Sequence, residues 1–253
     1  MIADSPRPPS PLPPDAPPLQ HPQTGVGVWL RRYRRYLPVP FVLFCVLWFR
    51  PIMFWGDPFL DALLDIGGVL ICALGQWFRF WAWGSNATVG KWGVRDRGPY
   101  TMMQHPLYAG NFLIAAGLVI IFNNPWVYLF LLAPFAYLYH VITDMEEKRM
   151  QRRFGEDYSE YRDQQVPRFV PDLGNWGVAV RTTTPFGWRF ALRKEYESCC
   201  GWIAGVAALE AYQGVLWRGW EENWSITLRW TAVAALAGLV SLVFGMRKKM
   251  RRA

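Results

Sequence analysis

Apolar and charged residues fall into blocks along this chain instead of alternating. Six apolar stretches, at about 39–56, 62–83, 107–123, 125–143, 200–217 and 227–246, are separated by polar segments. At roughly 1.5 Å rise per residue, such stretches are long enough to cross a hydrocarbon core of roughly 30 Å. A backbone inside lipid must close its hydrogen bonds within the segment, so the pattern predicts helices. The expected fold is all-α: a polytopic integral membrane protein with about six transmembrane helices. Asn123, Asn124 and Pro125 leave room only for a tight hairpin between the third and fourth spans, and Pro125 suits the first turn of the returning helix.

Basic residues orient this array, because Lys and Arg are retained on the cytosolic side of short loops. Arg31, Arg32, Arg34 and Arg35 precede the first span, and Lys91, Arg95 and Arg97 follow the second. Ten more lie between 144 and 199, and Arg247, Lys248, Lys249, Arg251 and Arg252 close the chain. The alternate connections, at 57–61, 123–125 and 218–226, hold Arg218 alone against Asp57, Asp61, Glu221 and Glu222. Both termini and the two large polar segments, 84–106 and 144–199, are therefore expected in the cytosol. Residues 1–25 contain nine prolines and no apolar run, which predicts an extended tail and not a signal peptide. The expected organisation is a Pro-rich tail (1–28), a four-span core with its cytosolic segments (29–198) and a two-span extension with a basic end (199–253).

Composition changes this picture little. Mean hydropathy is near neutral at +0.05 only because the blocks average out. The 15 tryptophans and 11 tyrosines crowd the ends of the apolar stretches, as rings that settle at headgroup level do. The net charge of +8 follows from membrane orientation, and no basic stripe with stacking aromatics points to nucleic acid. Four cysteines make no disulfide framework, and three scattered histidines (His21, His105, His140) offer no metal ligand set. The internal repeat expected of a transporter is missing. Of the ionisable residues inside spans, Arg79 lies near enough to the cytosolic interface to snorkel.

Chemistry is concentrated in the middle third. The run Arg97-Gly-Pro-Tyr-Thr-Met-Met-Gln-His-Pro-Leu-Tyr-Ala-Gly110 leads into the third span. Gly98-Pro99 predicts a turn, and Pro106 suits the first helical position and holds His105 extended. The product is a helix start at the membrane surface, with free amides near Leu107 and Tyr108 and a positive dipole end prepared for an anion. Tyr100, His105 and Tyr108 surround it. At the exit of the fourth span, Tyr137, His140, Asp144 and Glu147 recur at spacings of three and four, within about 80° on one helix face. Glu146 turns away by about 100°, so the two adjacent glutamates are expected to have different tasks.

Gly98-Pro99-Tyr100, His105-Pro106-Leu107-Tyr108-Ala109-Gly110, Glu146-Glu147, Phe154-Gly155 with Tyr158 and Tyr161, and Val166-Pro167-Arg168 ending at Pro171 follow in an order that resembles the isoprenylcysteine carboxyl methyltransferase family and its phospholipid methyltransferase relatives. The resemblance covers about residues 62–172. It implies S-adenosyl-L-methionine as cofactor, held by the turn and the paired glutamates, and a membrane lipid or prenylated acceptor entering from the bilayer. Gln104 departs from the pattern, in which a basic residue commonly stands there. The cofactor-binding candidates are Gly98, Tyr100, Gln104, His105, Pro106, Leu107, Tyr108, His140, Asp144 and Glu147. Arg168, Glu146 and Tyr161 are the candidate catalytic groups: Arg168 to orient an acceptor carboxylate, or a carboxylate such as Glu146 to take a proton from an amine. Arg168 is expected across the fourth span's end from the Glu147 face. The alternatives are a membrane reductase using a nicotinamide cofactor on a sterol-like substrate, and a non-catalytic lipid-binding protein. A glycine-rich nucleotide loop after a strand is missing, which excludes a soluble dinucleotide-type methyltransferase fold.

Overall fold

A computed structural model describes residues 38–89, 93–163 and 166–250. The expected Pro-rich tail, the arginines at 31–35, Lys91 and the chain-closing Arg251 and Arg252 lie outside the described residues. Among the described residues every regular element is helical: α1 (Pro38–Trp48), α2 (Pro58–Ser85), α3 (Pro106–Phe122), α4 (Pro125–Phe154), α5 (Glu156–Asp163), α6 (Trp176–Arg181) and α7 (Trp188–Met250), with short 3-10 turns between. Three helices, α2, α4 and α7, are long and apolar enough to cross a membrane, and α3 is a shorter apolar helix. Among the described residues, helix length and apolarity thus mark three helices against the six expected spans.

Helix α1 ends at Trp48, short of the expected position 56. Pro51 disfavours the helical conformation at Arg50, and the chain then bends through Trp55 and Gly56 at positive φ. Asp57 starts α2, its carboxylate accepting the amides of Phe59 (2.8 Å) and Leu60 (3.4 Å), with Pro58 in the first position.

Helices α2 and α3 approach through two reciprocal glycine pairs. A methyl group at Gly75 would fall 2.5 Å from the Gly110 carbonyl oxygen, and one at Gly117 would fall 2.4 Å from the Gly68 carbonyl oxygen. The pairs are seven residues apart on each helix, so one flat seam runs along both, as small residues permit in lipid. Asn123 closes α3 in the left-handed region, and the Asn124 side chain caps α4 through the Trp126 amide at 3.0 Å. The side-chain amides of both asparagines donate to the carbonyls of Ile52 and Arg50 at 2.8 Å, which pins the expected hairpin to the α1–α2 connection. A widened turn at Tyr128–Leu132 accommodates one extra residue early in α4.

Helix α7 reverses direction at Gly219, whose φ of 77° and ψ of 164° suit only glycine. Its arms, 188–218 and 220–250, lie side by side: the rings of Tyr196 and Phe244 stand 5.4 Å apart, and Gly214 lies flush against Asn223. The connection expected at 218–226 is thus a single residue, with Glu221 and Glu222 already helical. The junction expected between 198 and 199 falls inside the first arm.

Arg79 does not snorkel. Its Nε and Nη2 donate to the two carboxylate oxygens of Glu195 at 2.6 and 2.9 Å, and Gln76 adds a hydrogen bond to Glu195 Oε2 at 3.0 Å. Glu195 is fully buried. Nη1 donates to the Leu107 carbonyl at 3.4 Å and to Asn111 Oδ1. A forked guanidinium matched to a carboxylate this close prevails over extension to water, and it joins α2, the first turn of α3 and α7.

Candidate functional site

The polar segments assemble around the start of α3. Gly98–Thr101 forms a 3-10 turn, with Gly98 at φ 61° against Ser85. Residues 104–105 then pair with the extension 166–168: the Gln104 amide donates to Pro167 O at 2.8 Å, the His105 amide to Arg168 O at 3.0 Å, and Gln104 Nε2 to Val166 O at 2.7 Å. The Asp172 amide adds a bond to Met102 O at 2.9 Å. Pro167 and Pro171 keep this strip extended, so its carbonyls are available to the turn.

This pairing brings Arg168 onto Glu147. Arg168 Nη2 lies 2.8 Å from Glu147 Oε2 and 2.7 Å from Asp144 Oδ1, and Nη1 approaches His140 Nδ1 at 3.5 Å. His105 Nε2 meets the other Glu147 oxygen at 3.0 Å. Five of the expected residues, His105, His140, Asp144, Glu147 and Arg168, therefore form one cluster of alternating charge. The Glu147 carboxylate hydrogen-bonded to it raises the Arg168 guanidinium above its ordinary value despite partial desolvation, so the cation persists at every pH of interest. Arg168 is not across the helix end from Glu147, as sequence spacing suggested, because the long-range pairing of 104–105 with 166–168 folds it back.

Other expected residues support the cluster from behind. Tyr161 is buried and its hydroxyl donates to Tyr100 O at 2.8 Å, so it holds the turn and turns its hydroxyl away from the cluster. Burial pushes the Tyr100 and Tyr161 phenols up, and the Tyr158 phenol to about 12, keeping all three protonated. The charges of Glu147 and then Glu146 both bear on Tyr158, and that of Glu146 also bears on Tyr100, while the Glu147 oxygens make the direct contacts to His105 and Arg168. Gln104 commits its side-chain amide to the 166 carbonyl. The Tyr108 and Ala109 amides turn back onto His105 O at 3.1 and 3.0 Å, and Pro106 has no amide hydrogen. The helix start is consequently poorer in free donors than its sequence suggested.

Flat surface lies beside the charges. The ring of His105 stands 6.0 Å from Tyr108 and 5.8 Å from Phe169, and Tyr108 stands 4.9 Å from Tyr139. Phe169 and Tyr139 escaped the sequence reading; Phe169 directly follows Arg168, and Tyr139 directly precedes His140, which was the available signal. One helical turn below Tyr108 and Tyr139, Phe112, Leu132, Ala133 and Ala136 line an apolar cleft of about 480 Å³ that extends to Tyr128 and Pro125.

Residues 64–157 match a family model described as phospholipid methyltransferase. The match runs from within α2 into α5 and includes His105, Asp144 and Glu147, but stops before Arg168 and α7. The nickel-cobalt-cadmium resistance protein NccN of Alcaligenes xylosoxydans xylosoxydans is 30% identical over 123 residues, which is 47% of this chain and 55% of that protein. The chain thus spans about half the length of the curated relative it matches. No solved structure matches the chain.

Proposed function

We propose that this protein is a membrane methyltransferase that uses S-adenosyl-L-methionine to methylate a lipid-borne or prenylated acceptor at the cytosolic face of a membrane. The observation that carries the reading is the convergence of His105 and Arg168 on the two oxygens of Glu147. The family match over residues 64–157 supports the reaction class. The earlier resemblance to the isoprenylcysteine carboxyl methyltransferases favours a carboxylate acceptor within that class.

The donor set fits the cofactor. Glu147 and Asp144 suit its ammonium, Arg168 and His105 its carboxylate, and the faces of Tyr108, Tyr139 and Phe169 its adenine. When bound, S-adenosyl-L-methionine supplies a methyl group on a sulfonium leaving group. The displacement needs no covalent nucleophile from the protein, only alignment, and residues fixed on helices α3 and α4 provide it. Arg168 orients an acceptor carboxylate through its second guanidinium edge. For an amine acceptor, Asp144, which is nearer to water than Glu147, takes the proton. The apolar cleft beneath Tyr108 receives the hydrocarbon part of the acceptor from the bilayer.

Calorimetric titration of the detergent-solubilised protein with S-adenosyl-L-methionine, in the presence of a chelator, tests the cofactor. Transfer of labelled methyl groups to a membrane lipid extract tests the reaction. Saturable binding and labelled lipid are the expected results. No binding of this cofactor, with tight binding of a reduced nicotinamide, would replace the reading by a reductase.

A further inference from the structure

Five exposed apolar residues on α2, Leu63, Ile66, Leu70, Leu74 and Trp77, recur at spacings of three and four, so they form one stripe along the helix. On a helix long enough to cross a membrane, such a stripe is the lipid-facing side. The stripe leads up to α6. Trp77 stands 6.4 Å from Trp176 of α6, and Trp81 stands 5.4 Å from the same ring. Trp77 is eight residues before the end of α2 at Ser85, roughly 12 Å along the axis, so α6 reaches well below the end of α2.

The segment after the site carries its own exposed apolar residues. Val170, Leu173, Trp176, Val180 and Trp188 are exposed, although sequence placed 144–199 in water. Trp176 and Val180 are four positions apart and share a face, while buried Ala179 faces the core and Arg181 turns about 100° further round, away from them. Trp188 and Leu192 continue an exposed apolar edge onto α7. Between α2, α6 and the start of α7 lies an aromatic cavity of about 370 Å³, lined by Trp77, Phe80, Trp81, Trp176, Phe186 and Trp188. Arg181, Arg189 and Arg193, in the same stretch of chain, are exposed.

We propose that segment 170–188 is seated in the leaflet on the site's side of the membrane, its Trp176–Val180 face and aromatic cavity against phospholipid acyl chains and its arginines against anionic headgroups. Tryptophan at headgroup depth and juxtamembrane cations each favour that location. The seating bears on the site, because the segment holds the turn that carries His105. The Asp172 amide donates to Met102 O at 2.9 Å, the Gly98 amide to Thr182 Oγ1 at 3.0 Å, and Trp81 Nε1 to Thr183 Oγ1 at 2.6 Å. A bilayer therefore fixes one side of the turn from below, and the geometry of the cluster depends on lipid.

Spin labels on the full-length protein test this, with Cys199 and Cys200 replaced by serine, in vesicles of phosphatidylcholine and phosphatidylglycerol. Val180→Cys and Trp188→Cys probe the lipid face, Arg181→Cys the charged flank about 100° further round, and Leu70→Cys the α2 stripe. The expected result is that dissolved oxygen relaxes the labels at 180, 188 and 70 several-fold more than a water-soluble nickel chelate does, with the reverse at 181. Positions 180 and 188 each stand alone as a reading if one variant misfolds. Nickel access at 180 and 188 equal to that at 181, with position 70 still lipid-exposed, overturns the proposal while leaving the spanning helices in place. Nickel access at 70 as well overturns both.

Discussion

Arg168 meets Glu147 twice over: its guanidinium donates to the carboxylate at 2.8 Å, and its backbone carbonyl receives the amide of His105, whose ring binds the other carboxylate oxygen. Glu147 is thus the shared anion of two segments that are themselves paired through their backbones. Glu147→Gln keeps the shape and removes the charge, so cofactor affinity should fall by about 1.5 to 3 kcal/mol, the worth of a charge-assisted hydrogen bond. Titration calorimetry measures it; unchanged affinity would remove Glu147 from the cofactor site.

The same contact couples Arg168 to cofactor binding, where sequence spacing alone would have left it with the acceptor. Arg168→Ala should lower both cofactor affinity and turnover. Combined with Glu147→Gln, its effect on affinity should fall short of the sum by about 0.5 to 3 kcal/mol, the range for directly paired groups. Additive effects in the double-mutant cycle would mean that the two residues serve separate ligands.

How far the site was legible follows from the reach of each interaction. His105 and Glu147 stand out because they lie beside proline and helix-face signals that are local. The Asn123–Pro125 hairpin was legible for the same reason. The Arg168–Glu147 contact was not, since it depends on an irregular pairing of residues 104–105 with 166–168 that leaves no periodic trace. Glu195 stands among Arg193, Lys194 and Glu197 and reads as a solvated flank; only the approach of α2 reveals it as the partner of Arg79. Glu221 and Glu222 suggested a loop by their charge, yet glutamate is an ordinary helix former, and Gly219 alone makes the reversal.

The Arg79–Glu195 pair yields a stability prediction. Glu195→Ala leaves a desolvated guanidinium without its counter-ion, at a cost of about 3 to 5 kcal/mol. Thermal unfolding in detergent should show a large fall in Tm. Replacing both residues by methionine should recover much of it, because the uncompensated charge is gone. A double variant as unstable as Glu195→Ala would place the loss in packing instead.

The α2–α3 seam distinguishes neighbouring glycines. A methyl at Gly68 would fall 2.6 Å from Ile121 and 2.7 Å from the Gly117 carbonyl oxygen, whereas one at Gly67 meets nothing within 4 Å. Gly68→Ala should destabilise by about 1 to 3 kcal/mol through overpacking. Gly67→Ala should be neutral or stabilising by up to about 1 kcal/mol, since alanine favours helix. Equal Tm values for the two variants would argue that the seam is looser than its contacts indicate.

The orientation across the membrane decides where the acceptor comes from. Basic residues gather at the end of the helices that carries His105 and Arg168, and the reversal at Gly219 with Glu221 and Glu222 lies at the other end. Retention of Lys and Arg in the cytosol predicts that the site lies inside. Single cysteines at Glu160 and Glu222, both exposed, separate the two arrangements in a background with Cys199 and Cys200 replaced by serine. A membrane-impermeant maleimide added to intact cells should label position 222 and reach position 160 only after the membrane is opened. Labelling of 160 from outside would invert the topology. It would also place the cluster where S-adenosyl-L-methionine, a cytosolic cofactor, could not reach it, and the proposed reaction would fall with the orientation.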